Sequence, residues 1–229
     1  MKKILFFDAT NPWILVGTYT ISSDDSIGTA HWHADLHSRE SSQKLLVQIG
    51  ECLKISNWSK PDLIVTALGP GSFTGIRISV STARNLSQLW KIPVLGFDSL
   101  EIYCAHYFQE AGAAVSVALE AKQNKIYFGF RDKHGFWGSV DIHPDQIPEL
   151  LPENRLPSFS TSVRISNEDR LFPGEKFENN LPEADVILNE KKEFILRALE
   201  SPEDFSYLKL LPNYVRGTYA DNKPKVYYE

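Results

Sequence analysis

Only two cysteines, Cys52 and Cys104, stand in the chain, and no C-x-x-C spacing joins them. That supply gives no disulfide framework, and a reducing, cytoplasmic setting is the expectation. No apolar run approaches the length of a bilayer span, so no membrane role is expected. Met1-Lys2-Lys3 leads into ILFFDAT, whose apolar run is too short for a signal-peptide core and is interrupted by Asp8. Basic residues are in deficit: 24 Lys and Arg against 29 Asp and Glu give a net charge of −5 and a pI near 5.7. Phosphate contact runs on a basic surface, so nucleic acid is expected to meet this chain only through a complex. Low-complexity segments and short repeats are also missing. What remains is ordinary, 42% hydrophobic and 23% charged over 229 residues. That suffices for the core of one large domain or two small lobes.

The apolar runs place strands at 2–7, 13–20 and 27–35, with the Asn11-Pro12 turn between the first two. A helix starts near Ser38, with Leu45, Leu46, Ile49, Cys52 and Leu53 at three- and four-residue spacing on one stripe. A strand at 61–68, a loop from Gly69 to Phe73, a helix from Thr74 to Trp90, a strand at 92–97 and a helix from Ser99 to Gln109 follow. Strands joined through helices run parallel, so the plan is mixed α/β. EAGAA (110–114) divides the chain into lobes at 1–109 and 110–229, and the strand pattern restarts at 115–121, 125–132 and 136–142. Between 143 and 182 prolines are frequent and periodicity is weak. NEKKEFILRALE (189–200) predicts one helix with Phe194, Ile195, Ala198 and Leu199 on one side.

GPGSFTGIR (69–77) raises the functional question. A glycine-rich turn entering a helix exposes N–H groups at the positive end of the helix dipole, which suits anions. Gly69, Gly71 and Gly75 give G-x-G-x-x-x-G, however, which is not the dinucleotide fingerprint, and no lysine follows as in a phosphate loop. A strand-to-helix turn with Ser72 or Thr74 as cap is the preferred reading. Ser79, Ala83 and Ser87 stand four apart in the helix beyond it. A row of small residues lets two helices approach closely. The row fits packing on the chain's own sheet and contact with a partner helix equally well.

In HWHADLH (31–37) His31, His33, Asp35 and His37 alternate, and in a strand they would project to one face. These are metal-ligating types, and a metal-dependent hydrolase is the competing reading. A solvent-facing edge strand running into a helix start is the plainer one. The remaining histidines, His106, His134 and His143, have no supporting motif around them.

DLIVTALGPGSFTGIRISVSTARNLSQLWKIPVLGFDSL (62–100), HSRESSQKLLVQI (37–49) and FFDAT (6–10) together resemble the bacterial TsaB (YeaZ) family. EAKQNKIYFGF (120–130) and LPNYVR (211–216) resemble its later motifs in drifted form. The resemblance implies the fold shared by actin, sugar kinases and Hsp70, two lobes each built on β-β-β-α-β-α-β-α. It implies an accessory, non-catalytic subunit in the making of N6-threonylcarbamoyladenosine in tRNA. Such a subunit binds the TsaD-type transferase as a heterodimer and works with the ATPase TsaE, touching tRNA only through the complex. The family's contact helices map here onto Arg39, Ser42, Leu45, Leu46 and Ile49, and onto Arg77, Ser79, Ala83 and Ser87, which tips the small-residue row toward an interface. A large charged residue at Ala83 is then expected to break the heterodimer and spare the fold, and the isolated chain is expected to self-associate. The H-x-x-x-H metal pair of the transferase has no counterpart, since no histidine lies between Val94 and Tyr103. Asp8 and Thr10 keep part of a first phosphate motif. No cofactor is expected on this chain alone, and ATP or ADP only at an interface in the complex. The family's residues at the positions of Ser41, Gln123 and Lys125 tend to differ.

Overall fold

The computed structural model describes residues 1–35, 41–150, 162–165, 175–176 and 181–215. β1 (Lys2–Asp8), β2 (Ile14–Ile21) and β3 (Ile27–Asp35) form an antiparallel meander. α1 (Ser41–Ile55), β4 (Leu63–Ala67), α2 (Phe73–Trp90), β5 (Val94–Phe97) and α3 (Ser99–Ala111) follow. The first sheet has the order β3-β2-β1-β4-β5, with β4 parallel to both β1 and β5. This is the β-β-β-α-β-α-β-α unit of the actin-like fold. The meander then repeats in β6 (Val115–Glu120), β7 (Ile126–Asp132) and β8 (Gly135–Ile142). α4 (Ile147–Leu150), β9 (Ser162–Ile165), β10 (Glu175–Lys176), α5 (Asp185–Glu190) and α6 (Lys192–Glu200) complete the described elements. The second sheet has the order β10-β9-β6-β7-β8, with β9 parallel to β6.

The unbroken apolar run of β1 has a direct cause. Ile4 and Phe6 enter one core, Leu5 and Phe7 the other, and all four are fully buried. A strand covered on both faces carries no polar alternation. One face of the first sheet is covered by α1 and α2 through Leu45, Ile49, Cys52, Leu53, Ile76, Val80 and Ala83. The other face is covered by α3, α5 and α6, whose core also receives Val115, Val117 and Leu119 of β6. α3 packs on the second sheet and reaches β1 of the first through Tyr103, which explains why it is apolar on nearly every side. Asp98 caps its start and Gly112, at φ 59, ends it.

The helix predicted at 189–200 is two helices, α5 and α6, divided at Lys191. Asn189 explains the division. Its side-chain amide donates to the Ile27 carbonyl at 3.0 Å, and its side-chain oxygen accepts the Ile27 N–H at 3.2 Å. That pins α5 to β3 before α6 departs, a tertiary demand that local periodicity does not encode.

Candidate functional site

The glycine loop is a turn in which the N–H groups of Gly69, Ser72 and Gly75 are bonded within the chain. The Ser72 N–H donates to the Thr10 carbonyl at 2.6 Å, and the Gly69 N–H to Ser99 Oγ at 3.1 Å. Ser72 Oγ accepts the Gly75 N–H at 3.4 Å, as a helix cap does. A β-carbon at Gly71 would collide with the Thr10 carbonyl oxygen, and one at Gly75 with that of Ala9. The glycines therefore let the loop lie against the end of β1.

Asp8 and Thr10 sit beneath this loop in a closed polar cluster. Asp8 Oδ1 accepts the Thr10 N–H at 2.7 Å, and Oδ2 accepts the Tyr103 hydroxyl and Trp13 Nε1 at 3.4 Å. Thr10 Oγ1 lies 3.1 Å from Ser99 Oγ, and Asn11 Nδ2 donates to Tyr103 Oη at 2.8 Å. Asp8, Thr10 and Tyr103 are fully buried, and burial pushes the Asp8 carboxyl above its ordinary value. The Asp8 carboxyl is thus bonded within the chain, by the Thr10 backbone N–H and by the side chains of Tyr103 and Trp13.

The predicted contact residues divide sharply. Leu45, Ile49, Ser79, Ala83 and Ser87 are buried in the chain's own core and offer no surface to a partner. Ser79 Oγ accepts the Ala9 N–H at 2.9 Å, and the Ser87 hydroxyl donates to the Ile92 carbonyl at 2.6 Å. The small-residue row packs on the sheet, and a charge at Ala83 would disrupt the fold rather than spare it. Leu46 and Arg77 are exposed. Arg39 and the side chain of Ser42 lie outside the described residues.

The true outer face of α2 is the opposite one. Thr74, Ile78, Ser81 and Asn85 recur at intervals of four, three and four. With Phe73, Arg77 and Thr82 they line a shallow groove of about 450 Å³. Leu46 and Val47 of neighbouring α1 are 53% and 59% exposed, and Phe73 is 60% exposed. The signal for sidedness was in the sequence: Ile76, Val80, Ala83 and Ser87 follow the same four-three-four spacing on the inner side.

β3 is an edge strand on which His31, His33 and Asp35 are half-buried. Asp35 accepts a hydrogen bond from Gln48 Nε2 at 3.2 Å. His37 lies outside the described residues. Among the described residues no three His, Cys, Asp or Glu side chains are grouped so as to hold a metal ion.

Asp98 is a functional candidate that no sequence motif marks. Its carboxyl accepts from the Leu100 N–H at 2.8 Å, the Glu101 N–H at 3.2 Å, Ser139 Oγ of β8 at 2.6 Å and Asn213 Nδ2 at 2.8 Å. One side chain thus ties α3, the second sheet and the C-terminal segment together. The D-x-x-E spacing of Asp98 and Glu101 is a helix-start signal, but Ser139 and Asn213 are distant in sequence. The carboxyl group is enclosed although the residue keeps some surface. Burial, against these donors, raises its pKa from 3.8 to about 7. An unfolded carboxyl titrates near pH ~4, so the folded chain holds a proton that the unfolded chain has lost between about pH 4 and 7. This contribution to stability is complete below pH ~4 and declines as the pH rises through about 7. Urea unfolding at pH 5, 6, 7 and 8 is expected to show wild type losing stability relative to Asp98→Asn across that range. Parallel curves for the two proteins would refute the assignment.

Known proteins now give this geometry a context. A family model described as TsaD, tRNA N6-adenosine threonylcarbamoyltransferase, matches residues 33–142. An Escherichia coli (strain K12) protein named tRNA threonylcarbamoyladenosine biosynthesis protein TsaB is 30% identical over 131 residues, which is 55% of this chain and 57% of that one. The Bacillus subtilis (strain 168) protein of the same name is 37% identical over 84 residues, 36% of this chain and 35% of that one. The matched region thus spans about half or less of these relatives. Among solved structures, YeaZ from Pseudomonas aeruginosa superposes with a TM-score of 0.69 at 21% identity, covering 93% of this chain and all of that one. A second Pseudomonas aeruginosa structure, described as similar to peptidase YEAZ, gives 0.71 at 21% identity, covering 94% of this chain and all of that one. Both show that the fold is shared.

Proposed function

We propose, from its similarity to proteins named TsaB and its fold shared with YeaZ, that the chain acts in threonylcarbamoyladenosine biosynthesis as a non-catalytic subunit of the TsaB (YeaZ) family. The partner is a TsaD-type transferase, and a TsaE-type ATPase completes the assembly. The surface that serves this role is the outer face of α1 and α2. The observation that carries the reading is the shallow groove along α2, lined by Phe73, Ile78, Ser81 and Asn85, with Leu46 and Val47 exposed on neighbouring α1. Exposed large apolar side chains beside a shallow groove suit a helix laid along it. The Asp8 cluster supports the non-catalytic part of the reading, because Tyr103, Trp13 and Thr10 already occupy the carboxylate that a phosphate motif would use. Nucleotide is then held where this chain meets its partners. In the absence of the transferase the same face pairs with a second copy, and tRNA is reached only within the complex.

The test is light scattering after size exclusion of this chain mixed with the TsaD-type protein of the same genome. A stable heterodimer, formed at the expense of the self-associated species, is expected. Two folded proteins that elute separately would reduce the relationship to common ancestry.

A further inference from the structure

Residues 207–214 run back from the end of α6 and its following turn to the glycine loop. Leu210 is buried in the core beneath α1 and α2, and Tyr207 packs against that core. Asn213, 8% exposed, is the anchor. Its N–H donates to the Leu68 carbonyl at 2.9 Å, and its side chain reaches Asp98. A β-carbon at Gly69, which sits at φ 103, would press on the Asn213 carbonyl oxygen, so loop and segment are fitted to each other. These contacts fix the backbone immediately before Tyr214.

Tyr214 then stacks on Phe73, with ring centres 5.3 Å apart and planes 29° from parallel. The Arg77 guanidinium lies 5.1 Å from the centre of the same Phe73 ring. The arrangement is open to solvent, with Phe73 60% and Tyr214 39% exposed. Water weakens such contacts at a surface, so the stack is a minor contributor to folding. Its position is more telling. Phe73 and Arg77 also line the groove along α2, so Tyr214 extends that groove at the N-terminal end of the helix.

We propose that the partner-binding surface is composite, and that Tyr214, positioned by Asn213, forms with Phe73 and Arg77 an aromatic anchor for the transferase. The inference rests on the reading that the outer face of α2 receives that partner. A ring already held by its neighbours loses little conformational freedom when covered. Tyr and Arg, with Trp, are enriched among the residues that dominate an interface. A guanidinium laid on a ring keeps its donors around its rim, so the matching partner segment is apolar with a carboxylate at its edge.

The experiment measures the affinity of full-length variants for the TsaD-type protein by titration calorimetry, with thermal unfolding of each variant alone. Tyr214→Ala is expected to weaken binding at least about tenfold. Its Tm is expected to stay within about 2 °C of wild type. Tyr214→Phe, which keeps the ring, is expected to bind within about threefold of wild type, because stacking rather than the hydroxyl is used. Asn213→Ala is expected to reproduce the binding loss of Tyr214→Ala. Wild-type affinity in Tyr214→Ala, or a loss in Tyr214→Phe equal to that in Tyr214→Ala, overturns the proposal. Ser81→Arg separates the two levels. If it abolishes binding while Tyr214→Ala does not, only the composite surface fails. If neither variant affects binding, the α2 face itself is the wrong surface.

Discussion

Ser81→Arg is expected to fold as the wild type does and to lose its heterodimer. Ser81 is exposed on the outer face of α2, in the middle of the groove. An arginine there has no core to disturb, and exposed substitutions change stability by about 0.5 kcal/mol at most. The effect on binding is of a different order. Helices pack 8–10 Å apart only where small side chains let them, and a long cation in the seam holds the partner off while losing its own hydration. A loss of at least about a hundredfold in affinity, close to 3 kcal/mol, is the expected result. The readout is the disappearance of the heterodimer peak in light scattering, with an unchanged circular dichroism spectrum. A heterodimer retained at wild-type strength would place the interface elsewhere.

Two residues along the same helix the opposite outcome is expected. Ala83→Glu sets a carboxylate against Val80, Ile76 and the first sheet, at a position fully buried. The new side chain has neither room nor partners, and the cost combines overpacking with an unpaired buried charge. About 4 kcal/mol or more is the scale of such changes. At about 2–4 °C per kcal/mol in a chain of this size, Tm falls by roughly 8–16 °C. Differential scanning calorimetry checks it, and a Tm within 2 °C of wild type would contradict the burial described here. Any loss of partner binding in this variant reports unfolding rather than contact.

The contrast between Ser81 and Ala83 shows where sequence reasoning reached and where it stopped. α2 was legible as a helix because Ser79, Ala83 and Ser87 stand four apart between a glycine turn and a proline-containing loop. Its sidedness was open in the sequence because small residues occur on both sides, and the resemblance favours as contacts Ser79, Ala83 and Ser87, which the structure buries. The inner row is decided by Ile76 and Val80, which the sheet covers. The meander of β1, β2 and β3 was legible because covered strands read as apolar runs, and the loop at 69–75 because its glycines match no phosphate fingerprint. Asp98, Tyr103 and Asn213 were not legible as a set. Their partners lie up to 115 residues away, as for Asn213 and Asp98, and no local pattern reports such a distance. The break at Lys191 was hidden for the same reason, since β3 imposes it through Asn189.

The return of Asn213 to Leu68 also bears on the timing of synthesis. Every strand of the first sheet lies within residues 2–97, so that sheet can pair while the rest of the chain is still being made. The hydrogen bond from Asn213 to Leu68 closes a loop of 145 residues and waits for residue 213 to leave the ribosome. At about 5–20 residues per second, that wait is on the order of ten seconds after β5 is complete. The rim of the groove beside Phe73 is therefore finished last. A nascent chain displays α1 and α2 before Tyr214 reaches its place, so a partner that reads the finished rim meets only chains whose second half has already been made.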